Sequence, residues 1–501
     1  MMAQRVQQQP GMSLASLLDG LAPSADGDRL HISSVSADSR EVASGGLFLA
    51  LSGHRGHGLQ WLEQAVSNGA VAALYEPVSG LALPATPVPL IPVPRLAEHA
   101  GVIAARCLGE PARALDVIGI TGTNGKTSCS WMLARALDDE QARCGLIGTL
   151  GCGLYGELEP ATHTTPEATR VQALLAGFRD AGARYAVMEV SSHALVQHRV
   201  GGVRFARAVF TNLSRDHLDY HGDMQSYFAA KRRLFEFADL GGGVLNAADP
   251  WSPGLRAVMP TDSECIWYGQ GAREQAGNDA WLEAPQVHSR SDGLEITLAG
   301  VEQLSLSVPL VGRFNADNLL AVAATLYSLG YRGEDLARAL RRLQPVPGRM
   351  QCLGGGEQPL VIVDYAHTPE ALARALEAAR EHCRGQLCCV FGCGGERDAG
   401  KRPLMGEVVR HAADRMIVTD DNPRGESPEG IVRDILAGAG ADATVIHDRA
   451  DAIATAVSEA HPGDVVLVAG KGHESWQERA GQRLAFSDVT QVRLALKGVG
   501  S

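Results

Sequence analysis

Positive charge is in short supply in this 501-residue chain: 45 lysines and arginines against 57 aspartates and glutamates leave a net charge of −12. A surface of that sign disfavours nucleic acid as the main partner, so an anionic ligand must be held by local cations. Long apolar runs are missing as well. None approaches the roughly 20 residues that span a bilayer, and the opening MMAQRVQQQPGMSLASLL has neither a sustained apolar core nor a cleavage site, so no secretory leader is expected. The ten cysteines never fall in a C-x-x-C pair. They stand singly or in apolar runs such as Leu387-Cys388-Cys389-Val390, as reduced thiols of a cytoplasmic protein do. What remains is an ordinary globular composition, 45% hydrophobic and 20% charged. A chain of this length holds about two to four domains with large cores.

The chain is organised around residues 114–137, ALDVIGI-TGTNGKT-SCSWMLARAL. The apolar, β-branched run from Leu115 to Ile120 predicts a buried parallel strand. Thr121 to Gly125 is a Gly/Thr/Asn turn, and Lys126-Thr127-Ser128 open a predicted helix with Trp131, Leu133, Ala134 and Leu137 at helical spacing. Gly122, Thr123, Asn124 and Gly125 would offer backbone N–H groups to an anion. Lys126 would reach its outer phosphates, and Thr127 would give a hydroxyl to Mg²⁺. The loop is short, with two residues between Gly122 and Gly125-Lys126 where the common phosphate loop has four. The competing reading is a glycine turn with a chance lysine; the strand before and the helix after argue against it.

Before this stretch lies a small α/β unit. It has a strand at Leu47–Leu51, a glycine-rich loop with His54, Arg55 and Gly56, a helix stopped by Asn68-Gly69, and a strand at Ala70–Tyr75. The loop reads as an exposed turn or an anion site. The Pro-rich stretch Pro84–Pro94 puts a boundary near residue 96. After the phosphate loop, Gly151–Gly156 matches G-x-G-x-x-G but leads into no periodic helix, so it is not read as a dinucleotide site. The strand Tyr185–Val190 carries Glu189 near its end, where a Mg²⁺ site needs a carboxylate. The strand Ala208–Asn212 leads to Ser214-Arg215-Asp216-His217-Leu218-Asp219-Tyr220-His221. A zinc site would need His217 and His221 on one helix face. The segment reads as turn, so a role for His217 near Mg²⁺ is favoured instead.

The predicted helix Met224–Phe237 holds an anomaly. Lys231 lies four residues after Tyr227, on the apolar stripe of Tyr227, Phe228, Leu234 and Phe235. An inward lysine is costly unless neutralised or paired; the plain alternative is a lysine snorkelling from the stripe's edge. Residues 250–305 read as hairpins and loops. Asn315 and Asn318 stand near the start of a helix, Leu319–Leu329, which they could cap, or they could bind a base. The linker Pro345–Arg349 puts a second boundary near 344.

Beyond it, strands at Leu360–Val363, Leu387–Phe391, Arg415–Val418 and Val465–Val468 alternate with helices, a doubly wound parallel sheet. Polar clusters follow the strand ends: residues 364–369, 394–398, 420–424 and 470–474. Gly395-x₄-Gly400-Lys401 has phosphate-loop spacing, but Arg402 stands where the hydroxyl should be. In isolation, Asp421-Asn422-Pro423-Arg424-Gly425 reads as a surface turn with its arginine in solvent. The expected architecture is α/β in three domains: a small N-terminal α/β domain, a central P-loop ATPase-type domain and a C-terminal Rossmann-like doubly wound domain.

TGTNGKT, MEVSSH, NLSRDHLDYHG, GRFNADN, DYAHTP, GGERDAGKRP and AGKGHE follow one another along the chain. In that order, and over essentially the whole chain, it resembles the Mur ligases of peptidoglycan synthesis. Asp421-Asn422-Pro423-Arg424 looks like the diaminopimelate-adding type, since lysine-adding relatives lack the arginine. The resemblance implies a cytoplasmic enzyme, expected to be a monomer. It would use ATP to join the D-Glu γ-carboxylate of UDP-MurNAc-L-Ala-D-Glu to the amine of meso-diaminopimelate through an acyl phosphate. Residues 1–96 would bind the UDP-muramyl peptide, 97–344 ATP and 345–501 the amino acid.

By match to the family, Lys126 and Mg²⁺ balance the phosphates, with Thr127 and Glu189 as metal ligands and His217 as a ligand of a second ion. Lys231 would be carbamylated by CO₂, its new anion binding that second Mg²⁺. Asn315, Asn318, Arg349 and Asp364 would contact adenine or ribose. Ala37, Ser39 and the His54-Arg55-Gly56 loop would hold the uridine nucleotide, and His163, Thr164, Thr165, Ser191, Gln197 and Arg199 the muramyl peptide. Arg397, Asp421, Asn422, Pro423, Arg424, Gly470 and Glu474 would bind diaminopimelate. His163 stands where close relatives often have Asn, and Ala37 where a larger apolar residue is common. Two other readings stay open. One is a sister ligase that adds lysine or builds folyl-polyglutamate; the other is an NTP-driven switch or assembly protein, although no coiled coil is evident.

Overall fold

The structure, a computed structural model, describes residues 11–23, 29–53, 56–290, 293–440 and 442–499. It divides into two compact units, Met1–Glu283 with Leu320–Leu336, and Ala284–Leu319 with Ala337–Ser501. No helix of the described residues is long and apolar enough to cross a membrane.

The first unit begins with a parallel sheet ordered β1 (Ser34–Ser36), β2 (Gly46–Ala50), β3 (Ala70–Tyr75), β4 (Leu90–Pro92). Alternate residues face opposite ways along a strand. Leu47, Leu49, Ala72 and Leu74 therefore pack with Leu96, Ala100 and Ile103 of helix α1 (Leu96–Cys107), while Phe48, Ala50, Ala73 and Tyr75 pack with Leu59, Leu62 and Ala65. Both faces are covered, which is why these strands read as continuous apolar runs.

A larger sheet follows, built from β5 (Asp116–Thr121), β6 (Arg143–Gly148), β7 (Gly151–Leu154), β8 (Glu157–Glu159), β9 (Ala183–Glu189), β10 (Arg207–Phe210), β11 (Gly242–Asn246) and β12 (Glu264–Tyr268). The spatial order is β8-β7-β6-β9-β5-β10-β11-β12, continued by residues 280–282 of β13 (Ala280–Arg290). All pairings from β6 onward are parallel, and only β7 and β8 fold back antiparallel. Gly151–Gly156 is therefore a hairpin strand and turn. Residues 250–305, expected as hairpins and loops, do contain a hairpin beginning at Gly293, but they also contain the parallel strand β12. Cys265, Ile266, Trp267 and Tyr268 are buried in a parallel strand too short to show periodicity. In the middle, β5 carries the glycine loop at its end, followed by α2 (Lys126–Leu137), so the ends of β9 and β10 open on either side of that loop. Helices α3 (Ala168–Asp180), α4 (Ser192–Val196), α5 (Leu218–His221) and α6 (Met224–Arg232) complete this part, the last tightening into a 3₁₀ turn over Arg233–Phe235.

In the second unit, β14 (Gly293–Gly300) and β15 (Leu304–Val308) form a hairpin, and helix α7 (Phe314–Ser328) begins. Its main sheet uses β16 (Gln351–Gly354), β17 (Leu360–Asp364), β18 (Leu387–Phe391), β19 (Arg415–Val418), β20 (Thr444–Val445) and β21 (Val465–Ala469). The order is β16-β17-β21-β18-β19-β20, parallel except for the edge strand β16. Ile362, Cys389, Phe391 and Leu467 meet α8 (Pro369–Glu381), α9 (Lys401–Ala412) and α10 (Pro428–Ala439). Val361, Val363, Val390 and Val466 meet α11 (Arg449–Ser458) and α12 (Asp488–Val499). The sheet is doubly wound, with a small hairpin, β22 (Trp476–Arg479) and β23 (Gln482–Ala485), after β21.

Candidate functional site

The glycine loop after β5 depends on backbone that only glycine adopts freely. Gly122 has φ +148°, and a Cβ there would lie 1.9 Å from Thr211 Oγ1; Gly125, at φ +84°, turns the chain into α2. Residues after β10 hold this short loop. Thr123 N donates to Asn212 O (2.8 Å) and Asn124 N to Asn212 Oδ1 (3.0 Å), while Asn212 Nδ2 donates back to Asn124 O (3.2 Å). Thr211 Oγ1 also donates to Asn124 O (2.6 Å), and Ser214 N to Thr123 Oγ1 (3.0 Å). A neighbouring strand's loop thus fixes the shape of this short glycine loop. Asn212 was not among the residues expected at the site, although it opens the run NLSRDHLDYHG.

Two lysines converge on one carbonyl. Lys126 Nζ donates to Gly122 O (2.8 Å) and Thr123 O (2.9 Å), and Lys231 Nζ donates to the same Gly122 O (2.8 Å). Lys231 is 1% exposed, which overturns the snorkelling reading: Tyr227, Leu234 and Phe235 of its stripe are themselves buried, so there is no edge to snorkel from. Its ammonium nitrogen lies 4.5 Å from the centre of the Tyr227 ring. Burial first, then Lys126, pushes its pKa well below the ordinary lysine value, which favours the neutral amine.

Glu189 ends β9 1% exposed, and its two oxygens collect three donors. Thr127 Oγ1 reaches Oε2 (2.9 Å), Thr149 N reaches Oε1 (2.7 Å), and Thr149 Oγ1 reaches Oε2 (3.2 Å). A carboxylate grouped with hydroxyls is a hard-oxygen donor set, which suits Mg²⁺. Thr149, also missed from sequence, sits just past β6, the strand beside β9. Through its hydroxyl the cluster reaches Thr164 (3.1 Å), and Thr165 Oγ1 donates to Glu189 O (2.8 Å) and Ser191 Oγ (3.3 Å). Arg199 joins it by donating to Thr165 O (2.8 Å) and, through Nε and Nη2, to Gln197 Oε1 (3.0 and 2.7 Å).

The segment Leu218–His221, expected as a turn, is a helical turn, α5. His217 O accepts from His221 N (3.0 Å), and His217 itself is left-handed at φ +53°. The rings of His217 and His221 lie 5.0 and 5.5 Å from that of His193, and His221 is 4.9 Å from Tyr227. Burial lowers the pKa of all three histidines, that of His193 to about 4. They are therefore biased to the neutral form that binds metals. Of the remaining expected residues in this unit, His163 is exposed and its ring pairs with Thr162 Oγ1 (3.2 Å). Ser39 donates to Gln64 Oε1 (2.7 Å), Ala37 packs against the N-terminal core, and Gly56 is exposed. His54 and Arg55 lie outside the described residues.

In the second unit the loops after β17, β18, β19 and β21 meet. Asp364 accepts from Met350 N and Ala366 N (both 2.8 Å), and its pKa is raised by burial against the opposing pull of Arg349. Arg349 stacks 4.5 Å over Tyr365. Helix α7 starts at Phe314, not Leu319, so Asn315 and Asn318 lie within its first turns; Asn318 Nδ2 donates to Asn315 Oδ1 (2.9 Å) and Asn315 Nδ2 to Val311 O (2.7 Å).

Arg424 does not stand free in solvent. Its backbone is left-handed (φ +55°), its Nη1 donates to Gly395 O (2.7 Å), and its Nε is 3.8 Å from Glu478 Oε2. Gly395 N donates to Asn422 O (2.9 Å), and Asn422 Nδ2 to Glu474 Oε2 (2.9 Å). A Cβ on Gly470 would come within 2.6 Å of Asp421 Oδ2. A Cβ on Gly395 would fall 2.0 Å from Pro423 O, and Arg397 projects, exposed, from the same loop. Arg402 is buried between Glu426 (2.8 Å) and Asp434 (2.9 Å), a structural role consistent with rejecting Gly395–Lys401 as a phosphate loop.

Three family models match the chain: "Mur ligase family, catalytic domain" over residues 31–107, "Mur ligase middle domain" over 120–326, and "Mur ligase, glutamate ligase domain" over 348–472. A Pseudomonas aeruginosa protein named UDP-N-acetylmuramoyl-L-alanyl-D-glutamate–2,6-diaminopimelate ligase is 49% identical over 488 residues, covering 96% of this chain and 98% of the relative. A protein of the same name from Alkalilimnicola ehrlichii is 47% identical over 497 residues, covering 97% and 99%. A solved structure of a ligase so named superposes with a TM-score of 0.73 at 34% identity, covering 98% of this chain and all of the other.

Proposed function

The chain belongs to the Mur ligase family, which couples ATP to amide-bond formation in peptidoglycan synthesis, and we propose that its own reaction adds meso-diaminopimelate to UDP-N-acetylmuramoyl-L-alanyl-D-glutamate. It is an ATP-dependent ligase acting on small molecules. The observation that carries the specific reaction is 49% identity, along nearly the full length of both chains, to a relative bearing that name.

A carboxylate is a poor electrophile. In the proposed reaction the γ-carboxylate oxygen of D-Glu attacks the γ-phosphorus of ATP and ADP leaves, giving an acyl phosphate. The amine of diaminopimelate then attacks the acyl carbon, phosphate departs with the bonding electrons, and the amine loses a proton. The protein's task is positioning and charge neutralisation. Lys126 would exchange its bonds to Gly122 O and Thr123 O for phosphate oxygens, and Gly122–Ser128 would cradle the phosphates. Thr127 and Glu189 would hold Mg²⁺, and His217 with the carbamate of Lys231 a second ion. Such ions supply charge neutralisation at the phosphates.

The Lys231 amine reaches that carbamate by attacking CO₂, forming an N–C bond and releasing a proton, which its depressed pKa favours. Asn315, Asn318, Arg349 and Asp364 are assigned to adenine and ribose. Ala37, Ser39 and His54–Gly56 are assigned to uridine, and His163, Thr164, Thr165, Ser191, Gln197 and Arg199 to the muramyl peptide. Arg397, Asp421–Arg424, Gly470 and Glu474 are assigned to diaminopimelate. Functional boundaries fall near 96 and 344, and the enzyme works as a cytoplasmic monomer.

Phosphate release with UDP-MurNAc-L-Ala-D-Glu tests the reaction. It should depend on meso-diaminopimelate and be far slower with lysine; equal rates would remove the specificity, and release without any amine would favour an NTP-driven switch. The choice of amine is assigned to Arg424, because diaminopimelate differs from lysine by one carboxylate. An arginine fork donates two bonds to such a group, and a charge-assisted pair contributes roughly 1.5–3 kcal/mol, about ten- to a hundredfold in binding. Arg424→Ala should raise KM for diaminopimelate by at least that lower factor with KM for ATP little changed, and Arg424→Lys should recover only part. A variant that still prefers diaminopimelate as strongly as the parent would place the determinant elsewhere.

A further inference from the structure

Lys471 follows Gly470 just past β21 and is fully buried. A buried ammonium is costly unless its protons find acceptors. Here Nζ donates to Glu474 Oε2 (2.8 Å) and Asn422 Oδ1 (3.0 Å), and it lies 5.4 Å from the centre of the Trp476 ring. Asn422 Nδ2 donates to the same Glu474 Oε2 (2.9 Å), closing a three-membered ring of hydrogen bonds. Asn422 is also tied down by Glu478 N, which donates to Oδ1 (2.9 Å). Both side-chain atoms of the asparagine amide and one carboxylate oxygen of Glu474 are thus committed inside the protein.

We propose that Lys471 is a positioning residue for the incoming diamino acid. It fixes the amide orientation of Asn422 and holds the Glu474 side chain in place with Oε2 engaged, leaving Oε1 to receive the substrate's ammonium group. The inference rests on the assignment of Asn422 and Glu474 to diaminopimelate above. A neutral residue at 471 would leave Glu474 partly buried without its counter-ion and free to turn from the substrate, which weakens amine binding alone.

The experiment is steady-state kinetics, with each substrate varied in turn, on Lys471→Met, Glu474→Gln and the double variant. Lys471→Met should raise KM for meso-diaminopimelate about tenfold or more while kcat and the KM values for ATP and the UDP-muramyl dipeptide stay within about threefold. The double variant leaves no unpaired buried charge, so it keeps the test alive should the single one fail to fold. Because Lys471 acts through Glu474, the double variant should match Glu474→Gln alone within about twofold, a coupling that independent sites do not show. Loss spread evenly over all three substrates, or a double variant a further tenfold worse than Glu474→Gln, overturns the proposal. A parental KM for diaminopimelate in Glu474→Gln overturns instead the assignment on which it rests. A raised KM there with a parental value in Lys471→Met overturns this inference alone.

Discussion

Lys126→Ala is expected to lower the rate of ligation by on the order of 10²–10³ at saturating substrates, the scale for deleting one preorganised group that meets charge in a transition state. The fold should survive. Lys126 is only part-buried, and its two acceptors, Gly122 O and Thr123 O, are backbone carbonyls at the loop's mouth. Gly122 O keeps Lys231 Nζ as a donor after the substitution, and Thr123–Asn124 keep their bonds from residues 211–214. Losing hydrogen bonds of this sort costs about 0.5–1.5 kcal/mol each, well short of what unfolds a domain. The expected signature is therefore a retained thermal transition with turnover almost gone. Near-normal turnover in a folded variant would mean that Lys126 does not meet the phosphates and that the glycine loop is an ordinary turn.

The strands were legible wherever burial on both faces made them continuous apolar runs: Ala70–Tyr75 and Leu387–Phe391 are observed where the pattern places them. Elements whose burial comes from distant partners were not. Glu264–Tyr268 is a parallel strand only because β11 lies beside it, and the start of α7 at Phe314 is hidden because Asn315 and Asn318 satisfy each other inside the helix. In the site, residues that carry charge were visible as motifs, whereas those that brace them were not. Thr149 matters through its bonds to Glu189, and nothing in its local sequence distinguishes it from other polar residues after strands; Asn212 opens the run NLSRDHLDYHG, but its bonds with Asn124 appear only once the fold brings the two loops together. His217–His221 went the other way: a glycine-flanked Asp-Tyr-His looks like turn chemistry, but the bond from His221 N to His217 O closes it into a helical turn.

The second large effect concerns Lys231, whose substitution should separate stability from activity. Burial and Lys126 both disfavour its charged form, so the folded protein holds the amine neutral over a pH range in which the unfolded chain binds a proton. Stability then rises with pH, by about 1.4 kcal/mol per unit, between the depressed folded pKa and the ordinary lysine value near about 10.4, and is lost progressively as pH falls through that window. Lys231→Met removes the ionisable group but keeps much of the volume. In CO₂-free buffer its denaturation midpoint should vary less with pH than the parent's, and the variant should be the more stable of the two towards the acid end of that window. Activity should move the opposite way. Both Lys231→Met and Lys231→Ala should be nearly inactive, because neither can form the carbamate. Only the alanine variant leaves room for a short carboxylic acid to restore the missing anion, so rescue by added acid is expected for Lys231→Ala and not for Lys231→Met. The parent, kept free of CO₂, should lose activity and regain it on adding bicarbonate. A fully active alanine variant would reduce Lys231 to a packing residue with one hydrogen bond to Gly122 O. An inactive alanine variant with no response to short acids, in a parent indifferent to CO₂, would leave its neutral amine, and not a carbamate, as the group the reaction needs.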